Sequence, residues 1–317
     1  MAISKHIERF GGLPVVDFLA AVEDGRELPD APDAAWKVGL EYDSAQTFAE
    51  AWEQFLGTVD ASRVTAVVIG SWSQEEPELL TGPLAAVTDA AGQLPALRSL
   101  FVGDITFEEC EISWLQMCDI TPVFEAFPRL EELVVRGAGE DWDGNNGLAL
   151  TPLRHEHLRR LRLEAGGLPG SVVRAVAACD FPALESLELW LGVATYGGDA
   201  TPDDLAPFLA GNRLPALRTL GLQNSEQQDA IAAAVAQAPV VARLDHLALS
   251  MGAFTDEGAA ALLDGQPLTH LTTLDLHHHY LTEGMQQRLR EALPGVTIDL
   301  SDAQKWDDNW RYVAVSE

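Results

Sequence analysis

The stretch LDLHHHYL, Leu274 to Leu281, carries three consecutive histidines, His277, His278 and His279. Imidazole is the commonest protein ligand of transition ions and titrates near neutral pH, so zinc is the first chemistry to consider. Neighbouring residues on an extended chain point apart, however, whereas metal ligands must converge on one point. His155 and His157 stand two apart and would need further ligands from elsewhere; loop residues on the convex side is the simpler reading. DWDGNNG (141 to 147) resembles the start of a calcium loop, but Asn146 falls where such a loop needs glycine. Pro152 falls where it needs glutamate. The run ITFEECEI (105 to 112) reads as a charged loop, not as paired catalytic carboxylates. There is no GxSxG, GxxxxGK[ST], HExxH or GxGxxG. Cys110, Cys118 and Cys179 are odd in number and lack a CxxC pair, which fits buried thiols in a reducing compartment. The expectation is no enzyme, no cofactor and no metal site.

What sets the positions of the histidines is a recurring phrase, LxxLxL. It reads LRSLFV from Leu97, LEELVV from Leu130, LRRLRL from Leu158 and LESLEL from Leu184. It returns as LRTLGL from Leu217, LDHLAL from Leu244 and LTTLDL from Leu271, with a degenerate VTAVVI from Val64. Steps between starts are 26 to 33 residues. Leucines at positions 4 and 6 of the phrase alternate with polar residues, which predicts a short strand with one buried face. One strand cannot shield that face alone, but stacked copies can. Helical segments lie between: ITPVFEAF, GSVVRAVAAC, TPDDLAPFLAG, SEQQDAIAAAVAQA, TDEGAAALLDG and TEGMQQRLREAL. Thr201, Thr255 and Thr282 stand as N-caps followed by acids, with Pro202 in the first helical position.

These repeats resemble the leucine-rich repeat family, in its helix-containing, ribonuclease-inhibitor-like branch, from about Val64 to Leu300. The resemblance implies an α/β solenoid, a right-handed horseshoe with eight to nine parallel strands on its concave face. It also implies that position 9, usually asparagine or cysteine, bonds backbone groups in the turn. His279 occupies it; elsewhere it holds Trp72, Ile105, Ala138, Gly166, Gly192, Ser225 and Gly252. His277 is then expected on the concave face and His278 where the chain leaves the strand, with alanine at either position nearly silent for stability.

A solenoid needs closed ends. Residues 1–60 are expected to form an N-terminal α/β cap, with a strand over 35–42 and a helix over 44–59 bearing Phe48, Trp52, Phe55 and Leu56. Residues 61–300 form the solenoid, and the acidic, aromatic tail 301–317, with Trp306, Trp310 and Tyr312, folds back as a second cap. The opening segment, VVIGSW and the tail together resemble an uncharacterised group of bacterial leucine-rich repeat proteins. That resemblance implies at most an accessory or scaffold role beside enzymes.

Function in this fold usually resides on the concave strand face. The candidate protein-binding residues there are Phe101, Arg136, Arg160, Arg162, Trp190, His246 and His277, because arginine and tryptophan anchor interfaces. The competing reading is a cross-strand ladder in which the arginines neutralise Glu132, Glu164 and Glu188. A formal charge of −29 argues against nucleic acid and anionic membranes as partners. The chain is expected to be a cytoplasmic, monomeric, non-catalytic binding module for a protein. The alternatives are an immunity-type inhibitor of a basic toxin or nuclease, and an enzyme with its site in the N-terminal segment or the insertion loops.

Overall fold

The computed structural model describes residues 3–73, 78–140, 144, 147–305 and 310–317. Trp306 and all of the 141–147 segment except residues 144 and 147 fall outside that set. The chain packs as two compact units, residues 2–151 with 155–160 and residues 152–154 with 161–316.

The N-terminal unit alternates strand and helix: β1 (Arg9–Phe10), β2 (Leu13–Asp17), α1 (Phe18–Glu23), β3 (Ala35–Val38) and α2 (Phe48–Thr58). It continues through β4 (Ala66–Ile69), α3 (Thr81–Asp89), β5 (Ser99–Val102), α4 (Thr121–Ala126) and β6 (Glu132–Arg136). β1 and β2 form an antiparallel hairpin, and each later strand adds parallel to the one before. The strand and helix expected over 35–42 and 44–59 are β3 and α2. Thr47 opens α2 with a capping box: its hydroxyl accepts from Glu50 N–H, and the Glu50 carboxylate accepts from Thr47 N–H. Phe18, Trp36, Trp52 and Phe55 pack ring against ring, with centroids 5.2–6.5 Å apart.

The hairpin and α1 were not expected from the sequence, and they change the unit. Phe10, with Ile7, Leu13 and Val15, packs over Ala35, Ala66, Val68, Phe101 and Val134. Strands β3, β4 and β5 are therefore buried on both faces. Their sequences, AWKV, AVVI and SLFV, are near-continuous apolar runs, the pattern of doubly covered parallel strands.

The C-terminal unit contains β7 (Arg160–Glu164) from Leu161 onward, α5 (Gly170–Ala178), β8 (Ser186–Gly192), α6 (Pro202–Leu209) and β9 (Thr219–Ser225). It ends with α7 (Gln228–Ala236), β10 (His246–Ala248), α8 (Asp256–Asp264), β11 (Thr273–Asp275), α9 (Glu283–Ala292) and β12 (Thr297–Asp299). β8 to β12 pair in parallel and in chain order. β8 keeps the expected alternation, with Leu187, Leu189 and Leu191 buried and Ser186, Glu188 and Trp190 half-buried. The caps work as the sequence predicts: Thr255 accepts from Glu257 N–H and Thr282 from Met285 N–H. At position 9, Gly166 and Gly192 let two turns touch, since a Cβ on Gly192 would sit 1.9 Å from the Gly166 carbonyl oxygen. No helix among the described residues is long and apolar enough to cross a membrane.

Candidate functional site

The histidine run does three separate jobs. His279 is buried, accepts from Leu281 N–H at Nδ1 (3.0 Å) and donates from Nε2 to the Leu300 carbonyl (3.2 Å). Burial pushes its pKa below the usual histidine value, which keeps the ring neutral and fit for that bridging role. His155 does the same work in the N-terminal unit, accepting from Leu158 N–H and bonding the Phe127 carbonyl. It is a loop residue, as expected, but a buried one. Replacing His279 with alanine orphans a buried N–H and a carbonyl and should cost about 1–3 kcal/mol in urea unfolding. A loss below a few tenths would remove this residue from the turn.

His278 corrects the sequence expectation. It is 2% exposed, sits at φ 53°, and bonds both Asp302 Oδ2 (3.2 Å) and the Tyr312 carbonyl (3.1 Å). It is therefore a packed residue, and alanine there is expected to cost stability. The same repeat position recurs in the left-handed region at Asn224 (φ 59°), Met251 (φ 69°) and Asp302 (φ 55°). The tail docks on this row. Asn224 bonds both backbone groups of Val315, Ala314 N–H donates to the Met251 carbonyl, and the Tyr280 hydroxyl bonds Tyr312. Val313, Ala314 and Val315 are buried, whereas Trp310 is 80% exposed.

His277 faces a carboxylate of its own strand end. Its Nδ1 lies 2.8 Å from Asp275 Oδ1, and that hydrogen bond raises its pKa against the opposing effect of burial. Asp275, His277 and Asp299 offer ligand atoms all within 4.8 Å of one another, a donor set a divalent cation accepts. Behind Asp275 runs a chain of bonds, Gln223 to Ser250 (2.8 Å) and Ser250 to Asp275 (2.9 Å).

The remaining candidates separate by unit. In the N-terminal unit, Phe101 is 2% exposed beneath Phe10, with ring centroids 5.7 Å apart. Arg136 is 4% exposed, its guanidinium 5.0 Å over the Phe101 ring and 3.5 Å from Asp104. The expectation that these two lie on an open binding face is corrected: Phe10 packs over Phe101, and Arg136 is buried against Phe101, Asp104 and the Ile105 carbonyl. Arg160 is exposed and 3.3 Å from Glu132. In the C-terminal unit, Arg162 is held between Glu188 (3.0 Å) and Glu164 (3.5 Å). Burial depresses its pKa, but the two carboxylates outweigh that and the net shift is upward. His246 bonds Thr273 Oγ1 at 2.7 Å. The arginines thus stand in ion pairs, and Trp190 is half-exposed with no charge to neutralise.

No family model matches the sequence, and no curated protein is similar to it. Among solved structures, a protein from Bacteroides fragilis is 30% identical, with a TM-score of 0.79 over 90% of this chain and 78% of that one. The chain belongs to that protein's family. The family shares a mixed α/β architecture of stacked strand–helix repeats, a repeat solenoid.

Proposed function

We propose that this protein is a non-catalytic, cytoplasmic protein-interaction module. We assign it to the leucine-rich repeat class in its ribonuclease-inhibitor-like form, a horseshoe closed by the N-terminal segment and the docked tail. Its partner is a protein that binds the non-leucine strand face of the C-terminal unit around Trp190, Arg162, His246 and His277. The observation that carries this reading is the parity of β8: Trp190 is half-exposed while Leu189 and Leu191 on either side are buried. A tryptophan on that side contributes little to the leucine core, and tryptophan is the residue type most enriched at interface centres.

Trp190 is also the cleaner probe. Arg162→Ala removes an ion-pair partner from the buried Glu164, so its effect mixes stability with binding. Affinity capture from lysate with the full chain, followed by titration of the captured protein, supplies the measurement. Trp190→Ala should weaken association by about 2 kcal/mol or more with the melting temperature nearly unchanged. Equal affinity of wild type and variant would move the interface elsewhere.

A further inference from the structure

The carboxyl ends of β2 to β5 in the N-terminal unit enclose a polar cavity of about 250 Å³. Ligand sites of parallel sheets commonly lie beyond these strand ends. The cavity is lined by His6, Asp17, Lys37, Glu41, Ser71 and Glu108, with Thr106 and Glu109 in the turn beside them.

Lys37 interrupts the otherwise apolar strand AWKV, and its side chain is only 9% exposed. In register it lies beside Asp17 of β2 and Val68 of β4. Its Nζ is 3.8 Å from Asp17 Oδ2, beyond hydrogen-bond reach, and it makes no hydrogen bond among the described residues. An ammonium carries three donors, and burying them unfilled is costly. The fold makes room for this side chain at Gly70, where a Cβ would stand 2.8 Å from Lys37 Cε. A lysine accommodated in this way, with its donors unfilled and its head lining a cavity, calls for an oxyanion as its partner.

The surrounding acids say what else the occupant must carry. Asp17 already caps α1 through the Ala20 N–H (3.1 Å). Glu109 accepts from the Thr106 N–H (2.6 Å) and hydroxyl (2.8 Å) and lies 3.4 Å from His6. Glu41 and Glu108 are exposed and make no side-chain bond among the described residues. A bare oxyanion such as phosphate would meet Lys37 favourably but would bring its charge against four carboxylates. A simple cation would meet those carboxylates and face Lys37. A molecule with both charges satisfies both ends. The cavity is also smaller than the roughly 300–1,000 Å³ of sites for drug-sized ligands.

We propose that the cavity binds a small zwitterion of the amino-acid type, its carboxylate on Lys37 and its ammonium toward Glu41 and Glu108. The test is titration of the full chain with each of the twenty standard amino acids, read by thermal shift and ligand-observed NMR. Acetate, ethylammonium and inorganic phosphate serve as single-charge probes. At least one amino acid should bind at least tenfold more tightly than any of the three probes. Lys37→Met, which keeps an unbranched stem and removes the buried charge, should weaken that binding at least tenfold. The rim variant Glu41→Gln/Glu108→Gln, confined to exposed side chains, should weaken it at least threefold, and it decides the matter if Lys37→Met does not fold. The proposal is overturned if no amino acid binds, if phosphate binds more tightly than every amino acid, or if the bound amino acid is indifferent to these substitutions.

Discussion

Arg136→Ala should destabilise the protein by about 3 kcal/mol, the low end of the cost of breaking a buried ion pair, because His6 Nδ1 (3.2 Å) and the Ile7 N–H (3.3 Å) stay with the Asp104 carboxylate. Asp104 is fully buried and its Oδ1 lies 3.5 Å from Arg136 Nη1. Arg136 also donates to the Ile105 carbonyl (3.2 Å) and covers the Phe101 ring. Truncation therefore removes a charge partner, a backbone hydrogen bond and a cation–π contact at once. The double variant Arg136→Met/Asp104→Asn should recover much of the loss, because it removes both charges and keeps the volume. Urea denaturation of the two variants beside wild type is the measurement. Were Arg136→Ala to cost under 1 kcal/mol, the buried pairing would be wrong and the residue would return to the list of binding candidates.

Asn224→Ala should cost about 2–4 kcal/mol, because it leaves several buried backbone groups without partners. Asn224 is fully buried, donates to the Ala165 (3.3 Å) and Val315 (2.5 Å) carbonyls and accepts from Val315 N–H (3.0 Å). One side chain thus ties the end of β7, the end of β9 and the tail together. Asparagine also suits the left-handed backbone at φ 59°, where most L-residues are disfavoured. Loss of this clamp should release residues 313–315, so limited proteolysis should trim the tail of the variant faster than that of wild type. An unchanged unfolding midpoint with an equally protected tail would show that the docking does not depend on Asn224.

The two substitutions fall on residues the sequence treats differently. Strand parity turns Arg136 away from the leucine core, and the same parity leaves Trp190 in β8 half-exposed. That exposure is lost in β5 and β6 because Phe10 and its neighbours cover the second face. A warning was present: AVVI and SLFV lack the alternation of RLRLE and SLELW, and LPVVD after the turn at Gly11 and Gly12 has the composition of a strand. The position-8 row gave no such signal. Asn224, Met251, His278 and Asp302 share a backbone conformation without sharing a residue type.

The sequence by itself determined the strand–helix period and the threonine caps at Thr255 and Thr282, whereas the bridging role of His279 followed from the family resemblance. Each depends on neighbours within about one repeat, where spacing and parity fix which side chain turns inward. Tertiary structure alone decided that Phe101 and Arg136 are buried, that the tail docks on the position-8 row, and that Lys37 lines a cavity. Those outcomes rest on contacts such as Ile7 to Asp104 and Asn224 to Val315, 97 and 91 residues apart in the chain. Local patterning leaves a strand with two faces and says which one takes the leucines. What covers the other face depends on the energy of distant segments closing over it, and periodicity does not encode that.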